Sequence, residues 1–237
     1  AFAIPLGIAT YGVLSYSSDN IAFAGQERLG AAWIAPLNDL LRSQLQNQST
    51  GPAIEELRAL DRAQAKALDV SLAFDQAREA SGAYAAAATV LLYSAVSDSS
   101  KLTLDPDLDS YYAMAITMDY APKLAVAAAQ LDALTAAIGT RGSVSAEDRA
   151  HAQFIIARVS TYYDSLTTAV RRAVAANPAL ATRLETAGVD SAWRDFREHA
   201  QRIRQSADIP SSDLGSVHPG RVLITAALDV SKTTATI

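Results

Sequence analysis

Between Leu60 and Ala95, small and apolar residues follow one another in alternating steps of three and four: Leu60, Ala63, Ala67, Val70, Phe74, Ala77, Ser81, Tyr84, Ala88, Leu91 and Ala95. A 3.5-residue period held for about five heptads is the seam of a helix packed lengthwise against its neighbours, at crossing angles near 20°. No other feature constrains the chain as strongly. At 1.5 Å per residue, one helix from Pro52 to about Val96 spans on the order of 65 Å. A globule of this size is only about 45 Å across, so the spacing predicts a rod. Alanine makes up roughly a fifth of the 237 residues. It is the best helix former, and strand formers are sparse, so an all-β fold is excluded. A hydrophobic content of 50% excludes a disordered polymer.

Punctuation divides the rest. A first helix is predicted from about Leu6 to Gln48, bending at Gly30 and Pro36. Ser49-Thr50-Gly51-Pro52 stops it and restarts the second, with Pro52 at the first helical position and Glu55 and Glu56 in the favourable first turn. Asp105-Pro106 opens a third helix that reaches about Ile138, with a kink at Pro122. Ser145 followed by Asp148 resembles a capping box opening a fourth, which Asn177-Pro178 interrupts. A shorter fifth carries Trp193, Phe196, Ala200, Ile203 and Ala207; a last helix carries Leu223, Ala227, Val230, Thr234 and Ile237. The reading is all-α: an elongated antiparallel bundle of about six long helices, with both chain ends at one pole.

Much chemistry is excluded. A formal charge of −5 removes the electrostatic footprint of a general nucleic-acid binder. Without cysteine there is no disulfide, thiolate zinc site or Cys nucleophile. The three histidines form no H-E-x-x-H and no paired E-x-x-H; Asp148/His151 and Asp195/His199 read as one-turn pairs on a helix surface. Phosphate-binding loops and the G-x-S-x-G elbow are missing. Neither an enzyme nor a cofactor or metal is expected. Asp105, Asp107 and Asp109 are read as capping acids, because a calcium loop would need Gly at Ser110 and Glu at Ile116. The longest apolar run, Ala1 to Leu14, is too short to span a bilayer and lacks the marks of a signal peptide. On its residues alone it is either the start of a buried helix or the outer end of a transmembrane one.

Two segments say more. Gln26-Glu27-Arg28-Leu29-Gly30, continuing through Trp33 and Pro36-Leu37, is the first; Ser99-Ser100-Lys101-Leu102-Thr103-Leu104-Asp105-Pro106-Asp107-Leu108-Asp109-Ser110-Tyr111-Tyr112-Ala113-Met114 is the second. Together they resemble a recurrent pair in the sensor regions of bacterial transmembrane receptors, chiefly methyl-accepting chemotaxis proteins and also sensor histidine kinases. Lys101 stands where that pattern has Asn, and Ala115 where an acid is common. Length and number of passes are also similar to the helical bimodular sensor type, two stacked four-helix modules. The resemblance implies that residues 1–14 are the outer end of a transmembrane helix and residues 15–237 an extracytoplasmic, periplasmic sensor domain. It implies an inner-membrane receptor that works as a homodimer, binds a small molecule and signals by displacing its last helix. A scaffolding bundle without a ligand is the rival reading.

The expected ligand site joins the two segments. Arg28 and Trp33 lie about 140° apart around the first helix and would form opposite shoulders of a pocket opened by Gly30 and Pro36. Tyr111 and Met114 share a face and project into it, with Tyr112 beside them. One cation, several phenols and apolar walls suit a small organic anion or an amphipathic metabolite. The plainer alternatives are a solvated Arg28, a close helix contact at Gly30 and a kink at Pro36.

Overall fold

Serine, asparagine and proline set the helix ends much as their chemistry requires. In the computed structural model, which describes residues 3–102, 107–205 and 218–235 (side chains from residue 21 onward, Ala83 excepted), every regular element is helical, and no strand occurs among the described residues. The helices are α1 (Ala3–Leu45), α2 (Gly51–Leu68), α3 (Ser71–Glu79), α4 (Ala85–Ser100), α5 (Leu108–Ala115), α6 (Ala121–Arg141), α7 (Ala146–Ala176), α8 (Ala187–Gln205) and α9 (Pro219–Thr234). The capping box at the head of α7 is present in both directions: Asp148 N–H donates to Ser145 Oγ at 3.1 Å and Ser145 N–H to Asp148 Oδ2 at 2.6 Å. Asn177 ends α7, and its side-chain oxygen accepts from Ala179 N–H at the start of a 3-10 turn, Pro178–Thr182. Asp105-Pro106 lies outside the described residues, as do Ala207 and Ile237.

The second long helix is a correction. What the seam presents as one 45-residue helix is three. Asp69 adopts a left-handed conformation (φ 49°) and closes α2 through its N–H to Ala65 O, while Ser71 Oγ donates to Asp61 at 2.7 Å. Ala80 is extended, and Gly82, at φ 58°, leads into a 3-10 turn, Gly82–Tyr84. Each break resets the helical phase. Val70, Phe74 and Ala77 are buried as the heptad predicts, but Ala63 and Ala67 are exposed on α2, which buries Ala53, Leu57 and Leu68, and Tyr84 and Leu91 are exposed while α4 buries Leu92, Tyr93 and Val96 instead. The long helices are α1, 43 residues, and α7, 31 residues. Near Pro122 the irregularity takes the form of a π turn, Ile116–Tyr120, joining α5 to α6. Proline has no N–H and its ring crowds the carbonyl four residues back; a wider turn relieves both.

Packing is antiparallel wherever side chains report the direction. Gln44, Asn38 and Gly30 of α1 meet Thr89, Tyr93 and Ser100 of α4. Gln130 and Arg141 of α6 meet Arg158 and Asp148 of α7, and Tyr163 and Gln153 of α7 meet Asp190 and Arg204 of α8. Against α1, α9 descends: Gln46 pairs with Thr225, Arg42 with Asp229 and Asn38 with Ser231. Thus α9 runs toward the end of the bundle from which α1 rises. α9 also packs closely on α6, where a Cβ at Gly220 would stand 2.6 Å from the Ala128 carbonyl. There the Asp132 carboxylate accepts the Gly220 and Arg221 N–H groups, both at 2.9 Å, and caps the first turn of α9.

Candidate ligand-binding site

Three residues of α7 one turn apart, Asp164, Thr168 and Arg172, form a polar stripe on one helix face. It faces Tyr112 of α5 and Tyr120 of the π turn, two residues that lie eight apart along the same helical run. Between them is a groove of about 330 Å³, near the lower limit for small-molecule pockets. Arg172 Nη1 donates to the Tyr112 hydroxyl at 2.9 Å, and its guanidinium carbon lies 5.6 Å from the Tyr112 ring centre. Tyr111 meets Tyr112 edge to face at 5.2 Å. Below them, Asn177 donates to Asp109 Oδ2 at 2.8 Å; that bond and the Ser110 N–H hold the Asp109 carboxyl below the usual range. Burial, reinforced by Asp119, raises the Tyr120 phenol, so it remains a neutral donor at physiological pH. Arg172 spends one N–H on Tyr112 and keeps others for a ligand carboxylate, the geometry for which guanidinium is suited. The groove therefore offers a cation at one end, a carboxylate at the other and phenol and hydroxyl donors between.

The residues expected from sequence are partly brought together. Tyr111 and Tyr112 touch, and Met114 is half-buried against the core. Arg28 is exposed. Trp33 is fully buried on another side of α1, its Nε1 donating to Gln64 of α2 at 2.8 Å and its ring edge-on to Phe74 of α3 at 6.3 Å. The short α5 packs chiefly on α7, which turns Tyr112 toward Arg172 and away from Trp33. The two motif segments do meet, at Gly30: a Cβ there would stand 2.2 Å from Ser100 Oγ and 2.9 Å from Leu102 Cδ1. Gly30 is thus the close-contact residue of the plainer reading. Arg172, Thr168 and Tyr120 were missed by sequence reasoning, and the usable signal was the stripe at 164, 168 and 172 opposite the α7 seam.

A second polar cluster is wholly buried. The Tyr93 hydroxyl donates to Asn38 Oδ1 at 2.6 Å, Asn38 Nδ2 lies 3.1 Å from Ser231 Oγ, and Thr117 Oγ1 donates to Ala113 O at 2.9 Å and reaches Ser231 O at 3.4 Å. It ties α1, α4, the π turn and α9 together. Burial, with Asp39 nearby, raises the Tyr93 phenol well above its ordinary range. His199 is a further correction: expected on the surface beside Asp195, it is buried, with Nε2 3.2 Å from Thr135 Oγ1. Desolvation, aided by Arg202 and His218, depresses it to about 4.

Among the described residues no three His, Cys, Asp or Glu side chains gather as a metal site, and no helix is long and apolar enough to cross a membrane. Compared with family models, with curated proteins and with solved structures, the chain matches none.

Proposed function

We propose that this chain is the ligand-sensing extracytoplasmic domain of a two-pass bacterial receptor, of the chemoreceptor type, held in the periplasm by membrane helices on either side. The observation that carries the reading is the antiparallel pairing of α1 with α9 through Asn38–Ser231, Arg42–Asp229 and Gln46–Thr225. A chain that rises along α1 and descends along α9 suits an anchor at one pole, and a small displacement of α9 against α1 is the kind of two-state motion that carries a signal. The helix neighbours support the two-module likeness: α1, α4, the π-turn region and α9 form one four-helix group, and α6, α7, α8 and α9 another. The ligand is a small organic anion, its carboxylate on Arg172 and its body against Tyr112 and Tyr120. In the full receptor the chain forms a parallel homodimer through α1, where Ile21 is exposed.

Two experiments test this. Reading the coding sequence on both sides of these residues should show apolar spans of about 20 residues; a C-terminal flank without one removes the receptor. A thermal-shift screen of carboxylates should yield a hit that Arg172→Ala abolishes; a hit unaffected by that change places the ligand elsewhere. A histidine-kinase output is compatible with the same domain. The scaffold reading draws on one observation, the alanine-rich contact of α6 with α9, at Ala121, Ala125 and Ala128, which is fully buried.

A further inference from the structure

A larger cavity among the described residues lies away from Arg172. It is a groove of about 880 Å³ whose floor is the outer face of α9, walled by the end of α1 at Gln46 and by the connection from α7 to α8. Val222, Ala226 and Val230, one turn apart, line the floor, and Leu184 and Val189 back it. Charges mark its ends. Arg221 stands at the head of the groove, and Asp229 stands eight residues further along α9, about 12 Å away by helical rise. On the opposite wall lie Arg183 and Glu185, a cation and a carboxylate two residues apart. Asp229 is engaged by Arg42 through Nη2 alone, at 2.6 Å, while Arg42 Nε is buried without a partner. The pair is therefore end-on rather than bidentate, which leaves the second Asp229 oxygen available to the groove.

A cation and a carboxylate about 12 Å apart along an apolar floor match one class of molecule. An extended tripeptide spans about 10 Å at 3.3–3.6 Å per residue, with a carboxylate at one end and an ammonium at the other. We propose that this groove binds a short peptide with free termini and apolar side chains, its C-terminal carboxylate on Arg221, its N-terminal ammonium between Asp229 and Glu185, and its side chains on Val222, Ala226 and Val230. A single amino acid reaches one end only. The site is separate from the Tyr112–Arg172 groove and stands whether or not the chain is a receptor domain, because binding is read on the purified chain itself.

The test is calorimetric titration of the chain with tri-leucine, its N-acetyl form and its C-terminal amide. Removing the charge at either end of the peptide should weaken binding about tenfold or more, so both capped peptides bind at least that much more weakly. Arg221→Gln should weaken the free peptide and leave the amide unchanged, whereas Arg172→Ala should alter neither. Ala226→Trp, which fills the floor, should abolish binding while the circular-dichroism melt shows the fold intact; should it fail to fold, Val222→Trp at the exposed end replaces it. Equal affinity for free and amidated peptides, undiminished binding to a folded tryptophan variant, or no saturable heat with tri-leucine overturns the proposal.

Discussion

Replacing Gly30 by Ala should destabilise the protein, although alanine is the better helix former. Within a helix the change favours the fold by about 1 kcal/mol. Against that, the new methyl would stand 2.2 Å from Ser100 Oγ, 2.4 Å from Ser100 Cβ and 2.9 Å from Leu102 Cδ1. A Cβ is fixed to the backbone, so rotamer change cannot relieve the second contact; the end of α4 must retreat by more than about 1 Å to restore van der Waals distance. Overpacking of this kind costs about 1–3 kcal/mol, and so deep an overlap belongs at the upper end. The expected net loss is about 1–2 kcal/mol, read as a lower urea midpoint at unchanged slope. Ser100→Gly removes both of the worst clashes, so the double variant should lie above the sum of the singles by at least about 1 kcal/mol. An additive cycle, or a Gly30→Ala protein as stable as the parent, would refute the close approach of α1 and α4.

Because His199 is depressed to about 4 from 6.5, the unfolded chain takes up its proton first as pH falls, so the stability this residue supports is complete above 6.5 and is lost toward 4. The loss is on the order of 3 kcal/mol; urea midpoints measured from pH 7 to 4.5 should fall, and His199→Gln should flatten that fall. An identical slope in the variant would assign the acid sensitivity to other groups. Asp148→Ala removes a reciprocal cap and the Arg141 pair and should cost about 1–2 kcal/mol, with hydrogen exchange fastest in the first turn of α7. Although burial works against it, the Ser145 donors and Arg141 hold the Asp148 carboxyl below its ordinary range, so the benefit of the cap should fade only in strong acid. Tyr93→Phe deprives Asn38 of a buried donor and should cost about 1–2 kcal/mol by chemical denaturation; no change in midpoint would mean the bond contributes nothing.

Helical class, the cap of α7 and its end at Asn177 were legible because each depends on a few adjacent residues, whereas the small side chain of Gly30 suited a pocket and a close contact equally, and the structure has the contact. The breaks at Asp69 and Ala80 were hidden because the heptad spacing runs through them unaltered; only Ser81-Gly82 marked one of them. Periodicity reports which residues are apolar, and it cannot distinguish a continuous helix from short ones that each bury a similar stripe. The site was half visible for a related reason. Tyr111 and Tyr112 stand out as neighbours in sequence, whereas Arg172 joins them across 60 residues by the antiparallel return of α7. Trp33 drew attention as an aromatic beside Gly30, yet its indole is satisfied by Gln64, a partner that no local pattern announces.

The alanine seam of α6 has a cost in uniqueness. Ala121, Ala125 and Ala128 present α9 with a nearly uniform surface, and a slip of one turn, about 5.4 Å, would bury almost the same apolar area. Away from the close approach of Gly220 to Ala128 and its Asp132 cap, such a surface barely discriminates one alignment from the next. The cluster of Asn38, Tyr93, Thr117 and Ser231 does: slipping α9 takes Ser231 away from Asn38 and leaves the buried amide and hydroxyl unpaired, at about 1–3 kcal/mol for each group. Two such groups disfavour the slipped arrangement by a factor of roughly 30 to 10⁴, at 1.4 kcal/mol per decade. Replacing the cluster with apolar residues of similar bulk (Asn38→Leu, Tyr93→Phe, Thr117→Val, Ser231→Ala), together with Asp132→Ala to remove the cap of α9, would therefore yield a protein that keeps its helicity and yet populates more than one alignment, a loss visible as doubled resonances in its NMR spectrum.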